Sequence, residues 1–381
     1  MLAAVSKARP LLAILAAAAT IGVAGCTDAP PPVAAVEVTR GGCGTGWSGV
    51  HGGDQTIQIH NVGTVTMEVE LVDPATHAVY AEIESLGPGT TRPMRLVLAT
   101  GRYAFTCFPD GSDAETGPTM TVTDGPAQGA VAVPATSEND LAPAVKTYRA
   151  HVTAGLTALA TEVGKLQAAL RGSDRVRARA AWLEAQLAYG RLGAAYDTFG
   201  DFADAIDGLG VPGDPDFRGL RRIEWGLWHG EALPALRPLA RRLGADVAGL
   251  RADFARERTD PNDLPLRAHE ILENSLQFEL TGDADRGSGD GLAIIAANLD
   301  GTRAVLAAIA PVVRPKYAGW AAMTAELDKM TTLVRAQHSA RGWVAPAALK
   351  PLDRMRLAGT LGELLERLAP IAAIGEVRRT S

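Results

Sequence analysis

The apolar residues of this chain change their period once, and that change bounds the fold more tightly than any other feature. From about Val36 to Gly125 they alternate, with Val65, Met67, Val69 and Leu71 interleaving Thr64, Thr66, Glu68 and Glu70, the repeat of a strand with one buried face. Turn signals at Asn61-Val62-Gly63, Gly87-Pro88-Gly89 and Ala99-Thr100-Gly101 divide this region at short intervals, which predicts a small all-β antiparallel sandwich over 37–125. Residues 126–140 turn to Pro, Ala, Gly and Ser and read as a linker. Beyond it Trp182, Ala185, Tyr189, Leu192, Tyr196 and Phe199 recur at spacings of three and four, one face of a buried helix. Further helical runs cover about Ala142 to Leu170, Phe217 to Trp228, Leu236 to Ala255, Leu264 to Leu280, Leu292 to Ile309, Trp320 to Gln337 and Ala358 to Leu368. An all-α bundle over 141–381 follows, so the chain reads as a multidomain protein.

The N-terminus reads as an export signal over 1–25: Lys7 and Arg9, an apolar run from Leu11 to about Ala19, then Val23-Ala24-Gly25-Cys26. The last four residues form a lipobox, which predicts lipidation of Cys26 and anchorage to the outer side of the cell membrane. Residues 26–36, with Asp-Ala-Pro-Pro-Pro after the cysteine, read as an extended spacer. Setting Cys26 aside leaves Cys43 and Cys107, an even pair in an oxidising compartment. Tyr103, Phe105 and Cys107 share one strand face, which aims Cys107 inward, and a bond to Cys43 is expected. A formal net charge of -6 with no long basic run argues against nucleic acid as a partner.

The order of segments resembles the EfeO-type iron-uptake proteins in their two-domain form, a cupredoxin-like module followed by an imelysin-like helical domain. The likeness rests in the first domain on Cys43, on Asn61 leading into Met67 to Glu70, on Leu-Gly-Pro-Gly-Thr-Thr and on Gly-Arg-Tyr-Ala-Phe-Thr-Cys ending at Cys107. In the second it rests on the run from Tyr189, Phe-Gly-Asp from Phe199, Phe217 to Gly230, Arg267 to Glu273, and Ala-Asn-Leu-Asp-Gly-Thr-Arg from Ala297. The resemblance implies an extracytoplasmic, lipid-anchored protein that binds ferrous or ferric iron. It would deliver the iron to a membrane permease, with a haem-peroxidase-like protein as a further partner. In relatives a Gly-Phe-His-Arg-Ile-Glu run puts an imidazole and a carboxylate one helical turn apart, where both reach one cation.

Here the histidine position of that run holds Arg221, and a guanidinium has no lone pair to give a metal. A second departure is Gly190, where relatives carry a carboxylate after the tyrosine. The expected metal-binding set is Glu224, which matches the motif glutamate, His269 and Glu273, four apart on one helix face with Glu270 pointing elsewhere, and Asp201. Asp201 belongs to an acidic stripe with Asp197, Asp204 and Asp207. Glu68 and Glu70 resemble an acidic pair proposed for metal in such modules, although as residues they read as solvent-facing strand positions. No type-1 copper is expected, because no histidine follows Cys107 before His151. No His-Glu-x-x-His helix, nucleophile elbow or Gly-rich phosphate loop occurs, so the chain reads as a non-enzyme. The competing reading is a paralogue that kept the fold and dropped the metal, acting as an interaction or structural lipoprotein.

Overall fold

In a computed structural model of the protein, the described residues are 35–48 and 50–379. The predicted signal segment, the lipobox and Cys26 lie outside them. Two sheets form the first domain. One joins β1 (Val36–Thr39), β2 (Gly42–Thr45), β3 (Gly53–Asn61) and β6 (Thr91–Leu98) in the order β2-β1-β3-β6. The other joins β4 (Met67–Val72), β5 (Val79–Leu86), β7 (Gly101–Pro109) and β8 (Glu115–Thr116) in the order β5-β4-β7-β8, with β9 (Met120–Val122) paired to β7. All pairings are antiparallel except β1 with β3. The alternation sends Met67, Val69 and Leu71 into the space between the sheets, where they meet Ile59, Leu98 and Phe105 in one core. Cys43 on β2 and Cys107 on β7 are bonded across that space, tying one sheet to the other.

The segment between the domains does not hang free. Ala130 N donates to Val97 O, and Val133 pairs with Val79 on the edge of β5. The helical domain then begins at Ser137, whose side chain and that of Asp140 cap each other's backbone N–H groups at the start of α1 (Glu138–Arg171). There follow α2 (Arg175–Gly190), α3 (Asp201–Asp207), α4 (Gly219–Trp228), α5 (Leu233–Phe254), α6 (Asp263–Asn274), α7 (Gly291–Val313), α8 (Trp320–Arg335) and α9 (Pro351–Gly375). α7 is apolar enough to cross a membrane by length and composition, yet 67% of that stretch is buried inside the bundle. It is the central helix of a core that takes in Trp182, Tyr189 and Phe199 from the stripe read in the sequence.

Two local features position the site. Gly219 opens α4 at a φ of +75°, and a Cβ there would lie 2.3 Å from the Ile206 carbonyl oxygen, so only glycine lets α4 start against the end of α3. Trp182 of α2 fixes the other side of α4 by donating its indole N–H to Leu220 O at 2.9 Å. After α6 the chain adds a π-helical turn, Ser275–Glu279, which shifts the phase of the helix and turns Glu279 inward.

Behind the last helix, residues 376–379 bind the domains together. Val377 pairs with Thr136, Arg379 donates to Phe108 O, and Arg378 grips Glu82 of β5 with two bonds of 2.7 Å.

Candidate functional site

Arg221 lies at the centre of the helical domain, 2% exposed, inside a cage of carboxylates. Its Nη2 donates to Glu279 Oε1 at 2.6 Å, its Nε lies 3.1 Å from Asp207 Oδ1, and its Nη1 lies 3.6 Å from Glu224 Oε2. Burial works against the charge, but Asp207, then Glu279 and Glu224, outweigh it and hold the guanidinium protonated more firmly than usual. The same burial raises the carboxyl groups of Asp207 and Glu279 despite the attraction of Arg221.

Glu224 is fully buried, and its Oε1 accepts N–H bonds from Arg286 at 2.9 Å and Ser288 at 3.2 Å. Burial pushes its carboxyl up to about 7, while the neighbouring Asp285, despite its own burial, is held below its ordinary range by N–H bonds accepted from Gly287 and Gly289. The motif glutamate is therefore held by a loop on one side and a guanidinium on the other. That guanidinium fills the space between Glu224, Asp207 and Glu279 which a metal ion would need.

The four expected ligands are not brought together. Asp201 is exposed on α3 beside Asp253 and Glu257, while Asp207, two turns on, is the member of the stripe that turns inward to Arg221. His269 and Glu273 do share a face, Nδ1 to Oε2 at 3.8 Å, but that face lies roughly a third of a turn from the one that meets Arg221. The cavity-facing side of α6 carries the half-buried Arg267 and Glu270 and, at the exposed rim, Asn274, so Glu270 points to the site while His269 and Glu273 do not. Spacing fixes which residues share a face, and the packing of Ala268 and Leu272 decides where that face goes.

These inward groups line a cavity of about 180 Å³ between α2, α6, α7 and the π-helical turn, with Asp207, Arg221 and Glu279 in its wall. Gly190 opens it: a Cβ at that position would sit 3.0 Å from Asn298 Oδ1. Glu224 is not part of the wall.

A second acidic cluster lies in the sandwich. Among the described residues, the one set of three or more acidic, cysteine or histidine side chains with ligand atoms mutually within 4.8 Å is Glu68, Glu70 and Glu82. β4 supplies the first two on the face opposite Met67 and Val69, and Glu70 pairs in register with Glu82 of β5. The solvent-facing reading of Glu70 is corrected here: it is 3% exposed, because the C-terminal segment covers this face, and its Oε1 has no hydrogen-bond partner. Burial first, then Glu68 and Glu82, push its carboxyl up to about 8. Glu68 is raised by burial and by Glu82. Glu82 escaped the sequence reading because strand register cannot be read from alternation alone. Glu279 escaped because the π-helical turn breaks the helical phase; a buried arginine was itself the signal that partners had to exist.

A disulfide-tied sandwich with a buried carboxylate trio, joined to a bundle with a charged centre, defines a two-domain protein of the sandwich-plus-bundle class. Residues 144–369 match the imelysin family, labelled Peptidase M75, and the chain belongs to it. Among characterised proteins it is similar to the iron uptake system component EfeO of Escherichia coli K12, at 24% identity over 353 residues, 90% of this chain and 91% of that protein. The proteins of the same name from Shigella flexneri and Escherichia coli O157:H7 match to the same extent.

Proposed function

We propose that this protein is the iron-binding component of an iron uptake system, and that Glu68, Glu70 and Glu82 of the sandwich hold its cargo. The observation that carries this reading is the buried, unpartnered Oε1 of Glu70 between two further carboxylates. Three close carboxylates repel, and a cation relieves that repulsion. An all-oxygen donor set suits a hard cation, and the relatives' name supports iron as that cation. Arg378, held on Glu82 by two hydrogen bonds, is the positive charge that faces the trio. The lipobox supports anchorage through Cys26 outside the membrane, from which iron would pass to a membrane permease, with a haem-peroxidase-like protein as a further partner. The protein acts as a carrier and not a catalyst.

Titration of the full chain with ferrous and ferric iron tests this reading. Glu70→Gln is expected to weaken binding at least tenfold, about 1.4 kcal/mol. Arg378→Gln, which removes the competing guanidinium, is expected to strengthen it several-fold. Unchanged affinity in Glu70→Gln would rule the trio out.

The alternative, an interaction or structural lipoprotein that has dropped the metal, is supported by the closed cage around Arg221. It predicts no iron binding by the wild type at about 100 μM protein, the weak end of useful affinities. In either case Arg221→His is expected to add a new cation affinity in the helical domain, read as one further site in the same titration. No added site would mean that the scaffold no longer presents the other ligands.

A further inference from the structure

We infer that the cavity beside Arg221 is a binding site for a small organic molecule carrying a primary ammonium group, separate from the carboxylate trio of the sandwich and independent of the iron reading. Gln186 points to this most directly. It is 1% exposed and lines the cavity, and its amide nitrogen donates to Asp207 Oδ2 at 2.8 Å. That bond fixes which end of the amide is which, since a carboxylate can only accept. The carbonyl oxygen, Oε1, then has no hydrogen-bond partner in a buried wall. A buried acceptor left unmet is costly, and a donor entering the cavity recovers that cost.

The charge of the wall gives the sign of that donor. Three carboxylates, Asp207, Glu270 and Glu279, face two guanidiniums, Arg221 and Arg267, leaving one negative charge in excess. A ligand with an N–H donor and a positive charge meets both demands, whereas a bare carboxylate would reach only Nε and Nη1 of Arg221, which also lack hydrogen-bond partners, and would add to the excess negative charge. Size narrows the class further. A cavity of about 150 Å³ holds a six-carbon ring, so 180 Å³ takes a molecule of roughly six to eight non-hydrogen atoms. Two groups of compounds share this chemistry, short aliphatic amines and small α-amino acids. They differ in whether a carboxylate is also present to reach the Asn274 amide on the α6 wall, where Arg267 is already paired with Glu270.

Two residues act together here. Glycine at 190 leaves out a side chain that would fill the space, and arginine at 221 supplies a built-in counter-charge to the buried carboxylates. What remains is a pocket with a mixed polar and apolar wall, which suits an organic ligand carrying both kinds of group.

Calorimetric titration of the full chain with ethanolamine, 1,4-diaminobutane, L-alanine and L-serine tests the inference, with acetate and magnesium as controls. At least one ammonium compound is expected to bind with a Kd below about 1 mM. Binding by the amines alone, or by the amino acids alone, identifies the source within the class. Gln186→Met keeps the length of the side chain and removes the carbonyl, and Gly190→Ala adds a methyl group at the rim. Each is expected to weaken binding tenfold or more, with folding checked by the melting curve of the same sample. Binding of the ammonium compounds unchanged in both folded variants would overturn the assignment. So would heat of binding from none of the four, or an equal response to acetate or magnesium.

Discussion

Arg221→Met is expected to lower the stability of the helical domain by roughly 3–5 kcal/mol at neutral pH, the usual cost of removing one partner from a buried ionic cluster. Methionine fills a similar volume, so the loss comes from charge and not from a void. With the guanidinium gone, Asp207, Glu224 and Glu279 remain close together with their counter-charge removed. The pH dependence has a definite sign. All three carboxyls are raised in the folded protein by burial, and without Arg221 they rise further. In the unfolded chain they ionise in the ordinary range near pH 4. The folded variant must therefore keep protons that the unfolded chain gives up, a cost absent near pH 4 that grows as pH rises and is still growing at pH 7. Urea unfolding of the full chain at pH 7 and pH 5, followed by far-ultraviolet circular dichroism, measures both terms. Equal loss at the two pH values would show that Arg221 stabilises by packing alone.

Removing the inter-sheet bond is the second large effect. The Cys43→Ala, Cys107→Ala variant frees a loop spanned by a sequence separation of 64, which in the chain-entropy account costs the sandwich about 4 kcal/mol. The two β7 neighbours of Cys107 on the same face, Phe105 and Tyr103, stay buried in the core, so the loss is expected in the sandwich transition and not as wholesale collapse. Tryptophan fluorescence from Trp47, which stacks edge-on against Phe105 at 4.7 Å, follows that transition, and the helical signal should not move with it. A helical domain that unfolds in step with the sandwich would instead show that the clamp formed by residues 376–379 couples the two.

The parts of this structure legible in the sequence are those set by local repeat. Alternation along Val65 to Leu71 fixed a strand face, and the stripe from Trp182 to Phe199 fixed a helix core, because both depend on side-chain spacing and nothing more distant. What failed to appear was set by how elements meet. His269 and Glu273 share a face with each other, as spacing requires, yet the packing of Ala268 and Leu272 turns to the site a side of α6 about a third of a turn away. Asp207 and Asp201 stood in one acidic stripe, and only the approach of α4 through Gly219 selects the former. Glu82 joins Glu70 through strand register, and Glu70 is covered by a segment some 300 residues away along the chain, at Arg378. Arg221 itself was visible, and its meaning was half visible: a buried guanidinium must find anions, but which ones depends on a π-helical turn that no repeat announces.

The caged guanidinium has one more consequence, for a protein whose relatives serve iron uptake. A fold that leans on captured ions is weakest where those ions are scarce. Here the positive charge that steadies the bundle is covalently attached to it, so neither starvation nor a chelator can strip it away, and it has no oxidation states through which to generate radicals. The helical half of the molecule keeps its shape whether or not any cargo ever arrives.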